Sequence, residues 1–272
     1  SSNAGGSSDS GKKTVGFVAV GPEGGFRTAN EKDIQKAFED AGFDLTYSPT
    51  QNNDQQKQIQ AFNKFVNDEV DAIILSSTED SGWDDSLKKA AEAEIPVFTV
   101  DRNVDVKDAE AKKAIVAHIG PSNVWCGEQA AEFVNKNFPD GANGFILEGP
   151  AGLSVVKDRG TGWGNKVASN VKVLESQNDE MGLGAAQAVD AAGLKGKVKI
   201  ITIDGTKNAL QALVDGDLSY VIEYNPIFGK ETAQAVKDYL DGKTVEKDIE
   251  IESKTFEAAS AKEALDNNTR AY

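Results

Sequence analysis

Apolar residues in this chain fall into short runs separated by stretches of helical period. Residues 14–20 (TVGFVAV), 71–77 (DAIILSS) and 96–100 (PVFTV) are largely apolar on both faces, as strands inside a parallel sheet are, and 43–47 (FDLTY) reads as a further strand. Between them the period lengthens to 3.6. Ile34, Ala37, Phe38 and Ala41 share one helix face, Ile59, Phe62 and Val66 a second, and Leu87, Ala90 and Ala91 a third. Four β-α repeats in succession predict a parallel sheet with right-handed crossovers. A polar link at 103–113 precedes a second series. Strands are expected at 114–119, 144–148 (GFILE), 171–176, 198–203 (VKIITI) and 219–224. Helices are expected at 122–137, over Val155, Val156 and Arg159, at 180–192, at 207–214 and at 228–240. Residues 248–256 alternate as one strand does, and 258–265 form a closing helix.

One place breaks this rhythm. The strand at 171–177 runs directly into Asn178-Asp179-Glu180, which opens a helix. Two parallel strands need a crossover of a dozen or more residues between them. A helix and a strand are therefore expected to be missing between Gln177 and Asn178. Omission from the sequence is favoured over true loss, because losing a central strand would expose apolar edges.

Composition narrows the function classes. With 29 basic and 44 acidic residues the net charge is −15, which argues against a nucleic-acid or anionic-membrane partner. One cysteine, Cys126, and one histidine, His118, exclude a Cys/His metal cluster and an intramolecular disulfide. His118 lies in or beside a strand and reads as structural, which removes the commonest general base. Neither G-x-G-x-x-G nor G-x-x-x-x-G-K-[ST] occurs, nor a G-x-S-x-G elbow. Neither a cofactor nor a metal is expected. Residues 1–4 read as a tag remnant, and 5–11 (GGSSDSG) as a flexible tether.

The candidate chemistry sits at strand carboxyl ends, where open α/β sheets bind ligands. Residues 96–102 (PVFTVDR) set the pattern, with Asp101 and Arg102 after an apolar strand. Asp101 accepts hydrogen bonds and Arg102 donates in a planar fork, a pairing suited to a small polyhydroxylated ligand. Glu23, Phe26 and Arg27 follow the first strand within a glycine-rich turn. Asn178, Asp204 and Glu223 occupy like positions in the second half, and Arg159 lies early in a helix.

The runs GPEGGFR (21–27), PVFTVDR (96–102), HIGPSN (118–123), LEGPAG (147–152), KDRGTGW (157–163), NDEMGLGAAQAV (178–189) and ITIDG (201–205) resemble the periplasmic sugar-binding proteins of ribose- and galactofuranose-type ABC transporters. The resemblance covers nearly all of 14–272. It implies the type 1 periplasmic binding protein fold: α/β, two Rossmann-like lobes with parallel sheets joined by a three-crossover hinge. After a tag and tether at 1–13, one lobe would comprise 14–117 plus 224–253 and the other 118–223 plus 254–272. Hinges would lie near His118, 223–226 and 253–255. The position of Phe26 would stack on the sugar, and Asp101, Arg102, Arg159, Asn178, Asp204 and Glu223 would bind its hydroxyls. Glu23 and Arg27 fall in a variable part of the pocket, where galactofuranose binders also carry Glu and Arg. Ribose binders usually have Gln or Asn at the Glu223 position, which turns the reading away from ribose. The family's second aromatic wall would belong to the stretch absent after Gln177. The resemblance further implies an extracytoplasmic monomer, held by a lipid anchor upstream of the tether, that delivers a monosaccharide to a permease and is not an enzyme. A sugar or autoinducer sensor, and a carbohydrate-acting enzyme, are the competing readings.

Overall fold

The computed structural model describes residues 11–144, 146–148, 153–172, 175–176 and 178–272. The first half alternates β1 (Thr14–Val18), α1 (Gly25–Asp40), β2 (Asp44–Ser48), α2 (Gln55–Asn67), β3 (Ala72–Leu75), α3 (Asp84–Glu92), β4 (Val97–Val100), α4 (Ala109–Lys112) and β5 (Ile115–Pro121). The chain continues through α5 (Asn123–Asn137), β6 (Ala142–Asn143), β7 (Ile146–Leu147), α6 (Ser154–Lys166), β8 (Val171–Lys172), β9 (Glu175–Ser176), α7 (Asp179–Ala191), β10 (Ile201–Asp204), α8 (Lys207–Asp215) and β11 (Tyr220–Glu223). It ends with α9 (Gly229–Leu240), β12 (Asp248–Ile251), β13 (Thr255–Phe256) and α10 (Ala258–Asp266).

The first sheet is six-stranded, in the order β12-β5-β4-β3-β1-β2, and parallel throughout. Its central strands β3 and β4 are buried on both faces. Alternate residues feed opposite cores, as the two-residue period of a strand requires. Phe17, Ile74 and Phe98 pack with Ile34 and Phe38 of α1 and Val236 of α9. Val18, Ile73 and Val97 pack with Phe62 of α2 and Leu87 of α3. His118 sits in β5 with its Nδ1 2.9 Å from the Thr99 hydroxyl, and burial lowers its pKa.

The second lobe departs from expectation. Its principal sheet, β10-β11-β13, has a parallel pair and an antiparallel one. Residues 171–176 are strand wherever they are described, and they pair parallel with 142–147 in a single register, Ala142 with Val171 and Ile146 with Glu175. Residues 248–256, expected as one strand, divide. β12 joins the first sheet, whereas β13 pairs antiparallel with β11 in the second, so the chain crosses between lobes at 252–254. Alternation persists across that crossing because both pieces are half-buried, which hid the break. β5 stays in the first sheet through Pro121, so the first crossing follows Pro121 instead of falling at His118. The second crossing lies between β11 and α9. The expected turn at 149–152 falls outside the described residues.

Candidate functional site

The first half-site begins at the turn after β1. Gly21 has φ +90°, and a Cβ there would lie 2.0 Å from the Thr50 carbonyl oxygen, so only glycine fits. Its N–H donates to both oxygens of Glu31 (3.2 and 3.1 Å), and the Tyr47 hydroxyl donates to the same carboxylate at 2.6 Å. The pinned turn delivers Phe26 and Arg27 into the first turn of α1, one step further into helix than the glycine-rich sequence suggests.

Arg27 is 2 % exposed. Its Nη2 donates to Asp101 at 2.5 Å and to Glu23 at 3.4 Å, and its Nη1 donates to Ser76 at 3.3 Å. Asp101, at the carboxyl end of β4, has φ +63°. Burial disfavours its charge, but Arg27 and Arg102 outweigh that, and the carboxyl titrates below its ordinary range. Burial likewise works against the Arg27 charge and is outweighed by Asp101 and Glu23, so the guanidinium holds its proton more tightly than usual. Arg102 donates to Glu23 at 2.9 Å and to the carbonyls of Ser77 and Thr78.

The second half-site depends on a close helix crossing. A Cβ at Gly127 of α5 would lie 1.9 Å from the Arg159 carbonyl oxygen, and one at Gly162 of α6 would lie 1.8 Å from that of Val124. Glycine at both positions lets the backbones touch and carries Arg159 into the buried interior. Asp204 ends β10 with φ +143°, and its register partner on β11 is Glu223. Burial and the neighbouring Asp179 push the Asp204 carboxyl well above the ordinary range, against the opposing charge of Arg159. Asp179 accepts from the N–H groups of Gly205 (3.0 Å) and Thr206 (2.8 Å), and burial pushes its pKa up to about 6. Asn178 caps α7, its side-chain oxygen accepting from Met181 N–H at 2.8 Å. Glu223 accepts from Lys254 N–H at 3.1 Å and from Arg270, which also donates to the Gly205 carbonyl at 2.9 and 2.6 Å.

A bridge joins the halves. The Tyr224 hydroxyl donates to Asp101 at 2.6 Å and receives the Asn123 amide at 3.4 Å. Asn123 accepts from Arg159 Nε at 2.9 Å, and the Arg159 guanidinium lies 5.4 Å from the centre of the Tyr224 ring. Phe26 packs on Tyr224 with ring centres 5.1 Å apart. Glu23, Phe26, Arg27, Asp101 and Arg102 thus converge in one lobe, and a buried ladder reaches Arg159 in the other. Asn178, Asp204 and Glu223 stand at the strand and helix ends beside it. Asn123, Asp179, Tyr224, Arg270 and Tyr272 were not singled out from sequence. Tyr224 sits one place beyond a strand-end acid, so the same positional rule could have found it. Nothing local marks Tyr272.

Such a surface offers fixed donors, fixed acceptors and an aromatic face. Among the described residues no cluster of His, Cys, Asp and Glu could hold a metal ion, and no helix is long and apolar enough to cross a membrane.

Known proteins bear on this geometry. A profile for the periplasmic binding protein domain matches residues 15–176 and again 164–244. The fructose import binding protein FruE of Bifidobacterium longum is 89% identical over 303 aligned positions, which cover all of this chain and 93% of that one. The galactofuranose-binding protein YtfQ of Escherichia coli is 31% identical, across 93% of this chain and 90% of its own. A protein from Mycobacterium smegmatis, solved in complex with β-D-fucofuranose, superposes with a TM-score of 0.86 at 32% identity, over 94% of this chain and 95% of that one. With its two α/β lobes, its strand-end acids and these relatives, the chain belongs to the periplasmic binding protein family.

Proposed function

We propose that this chain captures a monosaccharide in its furanose form, with fructose the first candidate, between its lobes and hands it to an ABC-transporter permease outside the cytoplasm. The observation that carries the reading is the buried ladder from Arg27 through Asp101, Tyr224 and Asn123 to Arg159, which presents charge-fixed donors and acceptors from both lobes to one cleft. A sugar leaves water only if its hydroxyl bonds are replaced, and bonds to charged partners contribute about 1.5–3 kcal/mol each. A few of them with stacking on Phe26 reach micromolar affinity, about −8 kcal/mol, after the costs of association. Glu23, Asp101, Arg102, Arg159, Asn178, Asp204 and Glu223 bind hydroxyls in this reading, and Arg27 holds Asp101 and Glu23 in place. The lobes close on the ligand as a population shift. The protein acts as a monomer without turnover, and the tether at 5–11 ties it to a lipid anchor.

The choice of fructose rests on the relative named for it, and furanose on two relatives named for furanoses. The alignment to the fructose binder spans 303 positions against 272 residues here, a difference of 31. That suits an α-β unit omitted after Gln177, as does the doubled profile match overlapping at 164–176.

Thermal-shift screening of a monosaccharide panel, followed by calorimetry, tests the function. Fructose should raise the melting temperature and remain chemically unchanged on incubation. Arg102→Ala should leave the unliganded melting temperature in place and weaken binding at least about tenfold, the loss of one charged hydrogen bond. A panel without any stabilising sugar, or release of a product, would defeat the reading.

A further inference from the structure

Beyond α10 the chain turns back into the cleft. The Tyr272 ring lies 6.4 Å from that of Phe26, centre to centre, at an interplanar angle of 70°. It also rests on the first turn of α1, where a Cβ on Gly25 would come within 3.0 Å of its Cδ2. Those contacts are with the first lobe. The Tyr272 carbonyl accepts from Lys207 N–H at 2.7 Å, at the start of α8 in the second lobe. Arg270 fixes the approach: it pairs with Glu223, donates to the Gly205 carbonyl, and lies 5.1 Å from the centre of the Phe256 ring. Gly205 has φ +98°, and a Cβ there would come within 2.7 Å of Arg270 Nη2, so the turn after β10 is shaped around this arginine.

The Tyr272 hydroxyl is buried and makes no hydrogen bond among the described residues. Buried polar groups almost always have partners, so an orphaned phenol between two half-sites points to a partner that arrives with the ligand. Burial, and then the charges of Asp204 and Asp179, raise its pKa, so it remains a donor. A furanose presents an apolar C–H face and a rim of hydroxyls, which match a ring corner and a phenolic donor.

We propose that Tyr272 is a further aromatic wall of the sugar site, additional to the one expected in the stretch absent after Gln177 and steeply inclined to Phe26, with its hydroxyl donating to one hydroxyl of the bound furanose. Arg270 is the positioning residue that brings it there. The inference rests on the sugar-binding reading above.

Calorimetric titration of D-fructose and a panel of other monosaccharides into the parent chain, Tyr272→Phe and Tyr272→Ala tests it. Each variant's melting temperature without sugar reports whether it folds. Tyr272→Phe should weaken binding roughly threefold by removing one hydrogen bond. Tyr272→Ala should weaken it about tenfold or more by also removing the ring. Unchanged affinity in both variants would overturn the assignment while leaving the sugar-binding reading intact. Tighter binding by Tyr272→Ala would also overturn it, since the ring would then be a plug in the cleft. If Tyr272→Ala fails to fold, Tyr272→Phe alone decides through the hydroxyl. A parent chain that binds none of the sugars would take down both readings.

Discussion

Asp101 and Asp204 end corresponding strands in the two lobes, both with positive φ, yet their surroundings drive them apart. Asp101 faces Arg27 and Arg102 and is held ionised. Asp204 faces Asp179 and is pushed toward its protonated form. Positive φ on a residue other than glycine costs free energy, and it persists here because the surrounding bonds over-determine the backbone. Both acids were legible in the sequence as polar residues after apolar runs. Their opposite electrostatics were not, because Asp179 reaches Asp204 only through tertiary folding. The contrast has a pH consequence. Asp179 titrates at about 6 in the fold against 3.8 ordinarily. Below about pH 4 both folded and unfolded chains hold its proton and nothing is lost. As pH rises toward 6 the unfolded chain releases the proton first, so stability falls, and above 6 the whole penalty is present. Asp204 adds to this in the same direction, whereas the contribution of Asp101 is lost only at more acidic pH. Asp179→Asn keeps an oxygen for the Gly205 and Thr206 N–H groups and removes the charge. It should flatten, though not abolish, the decline in stability between pH 4 and 7, by up to about 2–3 kcal/mol. Denaturant unfolding at several pH values measures this, and parallel curves for parent and variant would contradict it.

At the scale of elements, the α5–α6 crossing carries the clearest constraint. The sequence DRGTGWG at 158–164 has three glycines in one helix, a composition that ordinarily weakens helices. Gly162 faces the Val124 carbonyl at a distance no side chain tolerates, whereas nothing lies within 4 Å of a Cβ on Gly164. Gly162→Ala should therefore force the helices apart at a cost of about 1–3 kcal/mol or more, and weaken sugar binding by displacing Arg159. Gly164→Ala should stabilise by up to about 1 kcal/mol through helix propensity alone. Equal effects of the two substitutions in thermal unfolding would refute the packing argument. Apart from α4, which is too short to carry a period and lies in the stretch 103–113 read as a polar link, the helices of both lobes were readable from period and caps, and so were β1, β3 and β4, whose buried runs are unambiguous. The strand expected at 171–176 was readable too, but the start of its partner at Ala142, two residues before the expected 144, was not. Nor was the reversal of β13, which follows from the lobe crossing at 252–254 and leaves no mark on hydropathy.

At the scale of the whole molecule, the lobes touch at a second place, away from the ladder. Asp80, in the loop after β3, accepts from Ser154 N–H at 2.6 Å and from its hydroxyl at 3.4 Å, at the first residue of α6 in the other lobe. Helix α6 begins without a side-chain cap of its own, and Asp80 supplies the acceptor from across the cleft. A carboxylate at a helix N-terminus is favoured by the exposed N–H groups and the helix dipole. Burial raises the Asp80 pKa, against the bonds from Ser154, so the carboxylate is desolvated when the lobes meet. If the lobes close on the ligand as proposed, a contact between them such as this one would be lost on opening and would favour the closed state independently of any ligand. Asp80→Ala removes the acceptor, together with a charge that also acts on Arg102, and the population of the closed form should fall. Apparent affinity scales with that population, so the sugar dissociation constant should rise roughly threefold to tenfold, matching a loss of about 0.5–1.5 kcal/mol. Small-angle scattering of the unliganded variant should give a larger radius of gyration than the parent, whereas the sugar-saturated forms should coincide. A variant with weaker binding and an unchanged unliganded radius would show that Asp80 acts on the pocket itself, and the latch would be excluded.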